Sequence, residues 1–273
     1  MLFSSAIFVF LFLPIVLAVY YALLRAPITL RNSWLLLVSL FFYAWGEKIV
    51  ASIMLVSILA NYGFGLWVAR ARDQGRGKGV IVVATVFNIG MLVAFKYADW
   101  LRDTLNAVLL WANVIETALP RPGSVFSGSS HWSSVFLTRE GAIRLPIGIS
   151  FFTFQAFSYV IDVYRRDGRV QQNPINFALY VALFPQLIAG PIVRYCDVDD
   201  QITERHHGRA RFAYGIRRFI IGLAKKMLIA NIVAKAADGV FGIPGAELTP
   251  ALAWLGIVCY SLQIYFDFSA YSD

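Results

Sequence analysis

The stretch from Leu145 to Tyr195 constrains the fold of this chain more than any other part of the sequence. It contains two apolar runs, Leu145–Tyr164 and Pro174–Val193, on either side of a basic turn. Both runs carry residues that a simple membrane-spanning helix does not need, namely Pro146, Gly148, Gln155, Asp162, Pro185, Gln186, Gly190 and Pro191. Proline interrupts a helix, and lipid cannot satisfy the backbone groups that it frees. Such runs are typical of a pocket or tunnel inside a membrane protein.

Composition and hydrophobic pattern predict an all-α integral membrane protein. Of the 273 residues, 59% are hydrophobic and 15% are charged, whereas soluble proteins are about half apolar. The apolar runs are long and do not alternate, which excludes a β-barrel. The first run is too long for a cleaved signal peptide and is interpreted as a retained helix. We expect one transmembrane domain over residues 1–273.

The basic residues lie in short connections, as the positive-inside rule requires, so the net charge of +8 indicates a lipid bilayer and no nucleic acid as partner. The turns at Arg25 and 70–78 are expected in the cytoplasm, which places the amino terminus outside it. The first four predicted helices are Phe3–Leu24, Asn32–Trp45, Ile49–Ala69 and Gly79–Phe95. No metal site is expected, since Cys196 and Cys259 lack ligand spacing and adjacent His206 and His207 point to different faces.

Two further segments look amphipathic. Tyr97–Leu119 is predicted as an interfacial helix, with a further span as the alternative. Phe212–Lys226 is predicted to lie along the cytoplasmic headgroups, because a spanning helix would bury Lys225 and Lys226. Between them, Pro120–Leu137 is interpreted as an irregular loop, and His131 within it as a solvated side chain.

The final run, Ala251–Asp273, places Gln263, Asp267, Ser269 and Asp273 in an otherwise apolar and aromatic helix. The two carboxylates would be costly against lipid, so we expect them to face a cavity or a partner. The run ends without a polar tail or a helix stop signal, and we expect the chain to be the N-terminal fragment of a longer domain.

Four motifs resemble the membrane-bound O-acyltransferase family, in its bacterial alginate O-acetylation branch. They are LPIGISFFTFQ (Leu145–Gln155), YVIDVYR (Tyr159–Arg165), FPQLIAGPIVRY (Phe184–Tyr195) and QIYFDFSAYSD (Gln263–Asp273). The resemblance implies a multi-pass ring of helices around a tunnel in the bacterial inner membrane, with re-entrant and interfacial helices. It implies transfer of an acetyl group from a cytoplasmic donor towards an exported polysaccharide such as alginate, with an extracytoplasmic acyltransferase as partner protein.

The same resemblance implies that no cofactor is bound and that the acyl donor is acetyl-CoA or an acyl-carrier thioester. The essential histidine of the family lies downstream of the last motif, so no catalytic residue is assigned and this chain alone is expected to be inactive. The candidates for tunnel lining or substrate binding are Gln155, Asp162, Gln186, Gly190, Arg194, Tyr265, Asp267 and Asp273. Each also has a structural interpretation, and Arg194 could attract a donor phosphate or set topology. The alternatives are a non-catalytic scaffold or conduit and, from the broken helices alone, a transporter.

The segment 174–193 presents a conflict with the positive-inside rule. If it crossed the bilayer, the basic residues around Arg165 and those after Val193 would lie on opposite sides. A re-entrant hairpin, entering and leaving on one face, removes the conflict.

This hypothesis predicts the outcome of cysteine labelling. In a background that lacks Cys196 and Cys259, single cysteines replacing Asn173 and Asp199 should react with an impermeant reagent from the same side. Labelling from opposite sides would show that the segment crosses the membrane.

Overall fold

The computed structural model of the protein describes residues 3–112, 114, 119–120, 145–187 and 190–273. Throughout these ranges the regular structure is helical and contains no strand. The helices are α1 Phe8–Arg25, α2 Ile28–Glu47, α3 Ala51–Asp73, α4 Gly77–Trp111, α5 Ile149–Arg165, α6 Pro174–Ala182, α7 Phe184–Leu187, α8 Tyr195–Thr203, α9 Arg209–Ala224, α10 Asn231–Phe241 and α11 Pro250–Ser272. Of the described helices, α1, α2, α3, α4 and α11 are long and apolar enough to cross a membrane. The predicted all-α membrane fold is confirmed. Most of the predicted loop Pro120–Leu137, including His131, lies outside the described residues.

Helix α2 is longer than its apolar pattern indicates. It begins at Ile28 rather than at Asn32, directly after Pro27, whose φ of −54° suits the start of a helix. Twenty residues rise about 30 Å, so the expectation of a short second span is wrong. Helix α3 also extends past its predicted end, and Arg70 and Arg72 occupy its last turn, where cations interact favourably with the helix dipole.

Helix α4 contains no break at Lys96, where the sequence suggested one. A π-helical segment, Val93–Tyr97, joins its first part, Gly77–Leu92, to the amphipathic part, Ala98–Trp111. The 35 residues rise about 52 Å, which exceeds the roughly 30 Å of a bilayer core. The amphipathic part is therefore an extension of α4 and not a separate helix.

The chain forms two compact units. The first comprises Met1–Val19, Ala189–Pro191 and Arg205–Asp273, and the second comprises Tyr20–Ile188 and Ile192–Glu204. Whether residues 1–273 behave as one domain stays a prediction.

In the first unit, the helical path does not end at Lys226. A π-helical segment, Lys225–Ala230, links α9 to α10, and both helices pack along α11. Glycine permits this close approach, because a Cβ on Gly222 would lie 2.6 Å from the carbonyl oxygen of Ala270. The helix predicted to lie along the headgroups, Phe212–Lys226, therefore continues through the π-helical segment into α10, and its position relative to the membrane stays a prediction.

In the second unit, α3 packs against α4 and α5, and α2 packs against α6. The Tyr159 ring fills the space above Gly65, where a Cβ would come within 2.4 Å of the ring. Buried Asn61 of α3 and Asn88 of α4 exchange two amide hydrogen bonds of 2.9 and 3.0 Å. Each amide also donates to the carbonyl four residues earlier in its own helix, so the pair ties two apolar helices together through polar groups.

We expect Asn61→Leu and Asn88→Leu each to lower the free energy of unfolding by about 1–2 kcal/mol, because each leaves the other amide buried with unmet hydrogen bonds. The double variant should lose less than the sum of the single losses. Thermal unfolding of the purified protein in detergent would measure this coupling. Strict additivity would show that the two amides do not interact.

Candidate functional site

Polar contacts close the two ends of the segment between α5 and α8. Arg194 ion-pairs with Asp162 of α5 at 2.6 Å and with Asp167 at 3.6 Å. Next to them, Gln171 Nε2 donates to the Tyr195 hydroxyl at 2.8 Å. Because residues before and after 174–193 are bonded to one another, the segment returns to the end of the unit from which it departs.

Contacts along α2 show how deep the segment reaches. Near the start of α6, Asn32 Nδ2 donates to Asn176 Oδ1 at 2.8 Å and to the carbonyl of Ile202 in α8 at 2.9 Å. Two turns further along α2, Ser39 Oγ accepts a hydrogen bond from the Phe184 backbone N–H at 3.1 Å. Seven residues of helix rise about 10 Å, so the segment descends to about that depth. This geometry is what the re-entrant hypothesis requires.

The break within the segment falls at Leu183 and not at Pro185. Leu183 has a ψ of 115°, outside the helical range, and α7 then begins at Phe184. Pro185 lies in the first turn of α7, where its missing N–H costs nothing. Gln186 is half-buried in α7, and its N–H donates to the Leu183 carbonyl at 2.9 Å.

Gln155 supports the descending limb. It is buried in α5, and its Nε2 donates to the carbonyl of Tyr180 at 2.6 Å. The Tyr180 hydroxyl donates to the carbonyl of Val193 at 2.8 Å and so holds the returning limb. Gln155 and Asp162 are seven residues apart, on one face of α5; Gln155 contacts Tyr180 within 174–193, and Asp162 contacts Arg194 directly after it. Their observed contacts are therefore those of structural supports.

The side chains of Arg194 and Tyr195 do not change their protonation near neutral pH. The hydrogen bond and charge of Asp162 raise the pKa of the Arg194 guanidinium. Burial, and then the hydrogen bond to Asp199, raise the pKa of the Tyr195 hydroxyl. Arg194 thus stays cationic and faces two carboxylates, so it has little attraction left for a donor phosphate.

A second charged cluster lies in the first unit, between α9, the π-helical segment and α11. Asp273 accepts from Lys225 at 2.5 Å and also pairs with Arg218. Lys226 pairs with Asp267 of α11. The carboxylates thus contact cations of the same unit, which agrees with the expectation that they do not face lipid. The sequence analysis did not pair these carboxylates with Lys225 and Lys226, although the lysines carry the complementary charge.

The remaining candidates do not join either cluster. Tyr265 is 65% exposed, and its ring packs edge-on against Phe266. Gly190 is buried and belongs to the first unit. His206 and His207 are exposed. Among the described residues there is no group of three or more potential metal ligands, and neither cluster contains a nucleophile beside a histidine base.

Removing the carboxylate of Asp273 leaves Arg218 and Lys225 next to each other without an anion. We expect Asp273→Ala to lower the unfolding free energy more than Asp267→Ala does, because the Asp273 carboxylate pairs with two cations and the Asp267 carboxylate with one. Asp267→Ala, at a more exposed pair, should cost about 1 kcal/mol. Thermal unfolding of the protein measures both.

The charge-swapped double variant Lys226→Asp/Asp267→Lys provides the matched control. It keeps one positive and one negative charge at these two positions, with their places exchanged. It should therefore recover most of the stability that Asp267→Ala loses. Equal losses for the swap and for Asp267→Ala would contradict an ionic role for this pair.

Comparison with known proteins places these elements in a family. Residues 165–273 match the model of MBOAT, the membrane-bound O-acyltransferase family. Over its whole length the chain is 38% identical to the proteins named "Probable alginate O-acetylase AlgI" of Azotobacter vinelandii and Pseudomonas aeruginosa, covering 50% and 48% of them. It is 31% identical to the "Peptidoglycan O-acetyltransferase" of Helicobacter pylori, of which it covers 52%. No solved structure matches the chain.

The chain spans about half the length of the curated relatives it matches. All of it aligns with them, and the family match includes α8 to α11 with the charged cluster. The motif-based prediction is therefore confirmed: residues 165–273 carry the match to the membrane-bound O-acyltransferase family, and the whole chain aligns with the alginate O-acetylases.

Proposed function

We propose that the protein is part of an O-acetyltransferase of the bacterial inner membrane that moves acetyl groups from a cytoplasmic thioester towards an exported polysaccharide such as alginate. The observation that carries this proposal is the 38% identity over the whole chain to two alginate O-acetylases. The break at Leu183 and its polar contacts add to it, because a broken helix with polar support inside a membrane protein is typical of a substrate path.

The chemistry is acyl transfer from sulfur to oxygen. An acceptor hydroxyl attacks the thioester carbonyl carbon as its proton passes to a base, and the new C–O bond forms. The C–S bond then breaks, and the leaving thiolate takes the proton from the base and departs as a thiol. A base with a near-neutral pKa, usually histidine, is needed, together with donors for the developing oxyanion. The resemblance places that histidine downstream of the last motif. In this proposal the described residues shape and support the donor side, and none of them acts as the base.

Acetyl-CoA or an acyl-carrier thioester would supply the acetyl group from the cytoplasm, where the positive-inside rule places the turns after α3 and α5. An extracytoplasmic acyltransferase would complete the delivery to the polymer. Peptidoglycan is the second candidate acceptor, favoured by the 31% identity to a peptidoglycan O-acetyltransferase. A non-catalytic conduit would carry the same helices without acetyl transfer by this protein.

Deletion of the gene that encodes this chain, here called the parent gene, tests the proposal in its own host. Base-labile acetate should fall by more than 90% in the exported polysaccharide, and the full parent gene should restore it. Asp273→Ala should restore at least tenfold less than the unmodified gene, because it disrupts the contact between α9 and α11, whereas Tyr214→Phe, at an exposed ring of α9, should restore fully. Loss of acetate from muropeptides instead would assign peptidoglycan as acceptor, and unchanged acetylation of both polymers would overturn the proposal.

A further inference from the structure

Two basic turns that are far apart in the sequence meet in the second unit. Arg166, after α5, lies 3.6 Å from Asp73 at the end of α3. Arg72 donates to the carbonyl of Val163. Between the turns lies a pocket of about 320 Å³, at the lower end of the usual size range for small-molecule sites. We call it the basic pocket, because its lining includes Arg72, Lys78, Arg165 and Arg166.

The charges of the basic pocket are only partly balanced. Asp73 contacts Arg72 and Arg166 and is itself 64% exposed. Within the described ranges, Lys78 and Arg165 form no ion pair with a carboxylate. A concave site with several cations and one shared carboxylate concentrates anions. This is the opposite of the situation at Arg194, where two carboxylates face one guanidinium.

Glycines allow the backbone around the basic pocket to turn tightly and to pack closely. Gly75 has a φ of 74°, which an L side chain rarely adopts. At Gly77, a Cβ would lie 3.0 Å from both Arg72 Cα and the Tyr164 ring. Helix α4 starts at Gly77, so the positive end of its dipole adds to the four side chains. The glycines keep the turn narrow and leave the guanidinium and ammonium groups to line the space.

We propose that the basic pocket binds the phosphate groups of a ligand at the cytoplasmic face. Guanidinium groups match phosphate oxygens in two-pronged geometry, and a lysine adds a mobile point charge. The ligand is the phosphorylated part of the acyl donor or the headgroup of an anionic phospholipid. The first of these sources rests on the proposed acetyltransferase function, whereas phosphate binding itself does not.

The experiment uses the full protein product of the parent gene in nanodiscs. Coenzyme A binding is measured by equilibrium dialysis in zwitterionic lipid, with no acceptor present. Retention of phosphatidylglycerol is measured separately, by native mass spectrometry. The test variant is Lys78→Gln/Arg165→Gln, which removes the two charges without a carboxylate partner. Arg76→Gln is the matched control, since it removes a positive charge from the same turn outside the pocket lining.

We expect the double variant to bind coenzyme A at least tenfold more weakly at constant salt, and Arg76→Gln to change binding less than twofold. A loss confined to phosphatidylglycerol would also support the phosphate site and would assign it to lipid. Equal binding of both ligands by the double variant and the control would overturn the proposal. Because no turnover is measured, this result is independent of whether the parent gene acetylates a polymer.

Discussion

Hydrogen bonds from buried side chains to the backbone of a broken helix are what the second unit depends on. The chain between α5 and α8 cannot satisfy its own main-chain groups, because Leu183 departs from helical geometry and lipid offers no partners. Ser39 and Gln155 supply them, one from α2 and one from α5. Without these bonds the Phe184 N–H and the Tyr180 carbonyl would lose their side-chain partners at the helix break.

Charge compensation performs the corresponding task in the first unit. Three cations and two carboxylates lie between α9, the π-helical segment and α11. Each is costly to bury alone, whereas paired they allow apolar packing to continue on both sides of the cluster. In both units, polar groups join helices at points where apolar contacts alone would allow them to slide.

Much of this was predictable from the sequence, because the information was local. Long apolar runs predicted the helices, and the breakers in 174–193 indicated a re-entrant path, with which the contacts of Gln171 and Asn32 agree. The sidedness inferred from the basic turns stays a prediction. What could not be predicted depends on partners far away in the chain. Lys226 looked unsuited to a continuous helix because its partner, Asp267, is 41 residues away.

The prediction of a separate interfacial helix was wrong. The amphipathic part of α4 was separated from the rest at Lys96, whereas a helix can run well beyond the bilayer core. The candidate roles of Arg194 and Tyr265 stay predictions, and their sequence positions did not indicate that Arg194 faces two carboxylates or that Tyr265 is largely exposed. No role was predicted for Asn61 and Asn88, although a side-chain amide in an apolar helix needs a hydrogen-bond partner and thus indicates a helix–helix contact.

The pairing of Lys225 and Lys226 with α11 has a consequence for biosynthesis. The lysines are synthesised 48 and 41 residues before Asp273 and Asp267. An unpaired charge at the centre of a helix opposes insertion by about 3 kcal/mol. Lys225 and Lys226 therefore have no partner in α11 until that helix has been synthesised. Compensation of these two charges is a late step in the synthesis of the first unit.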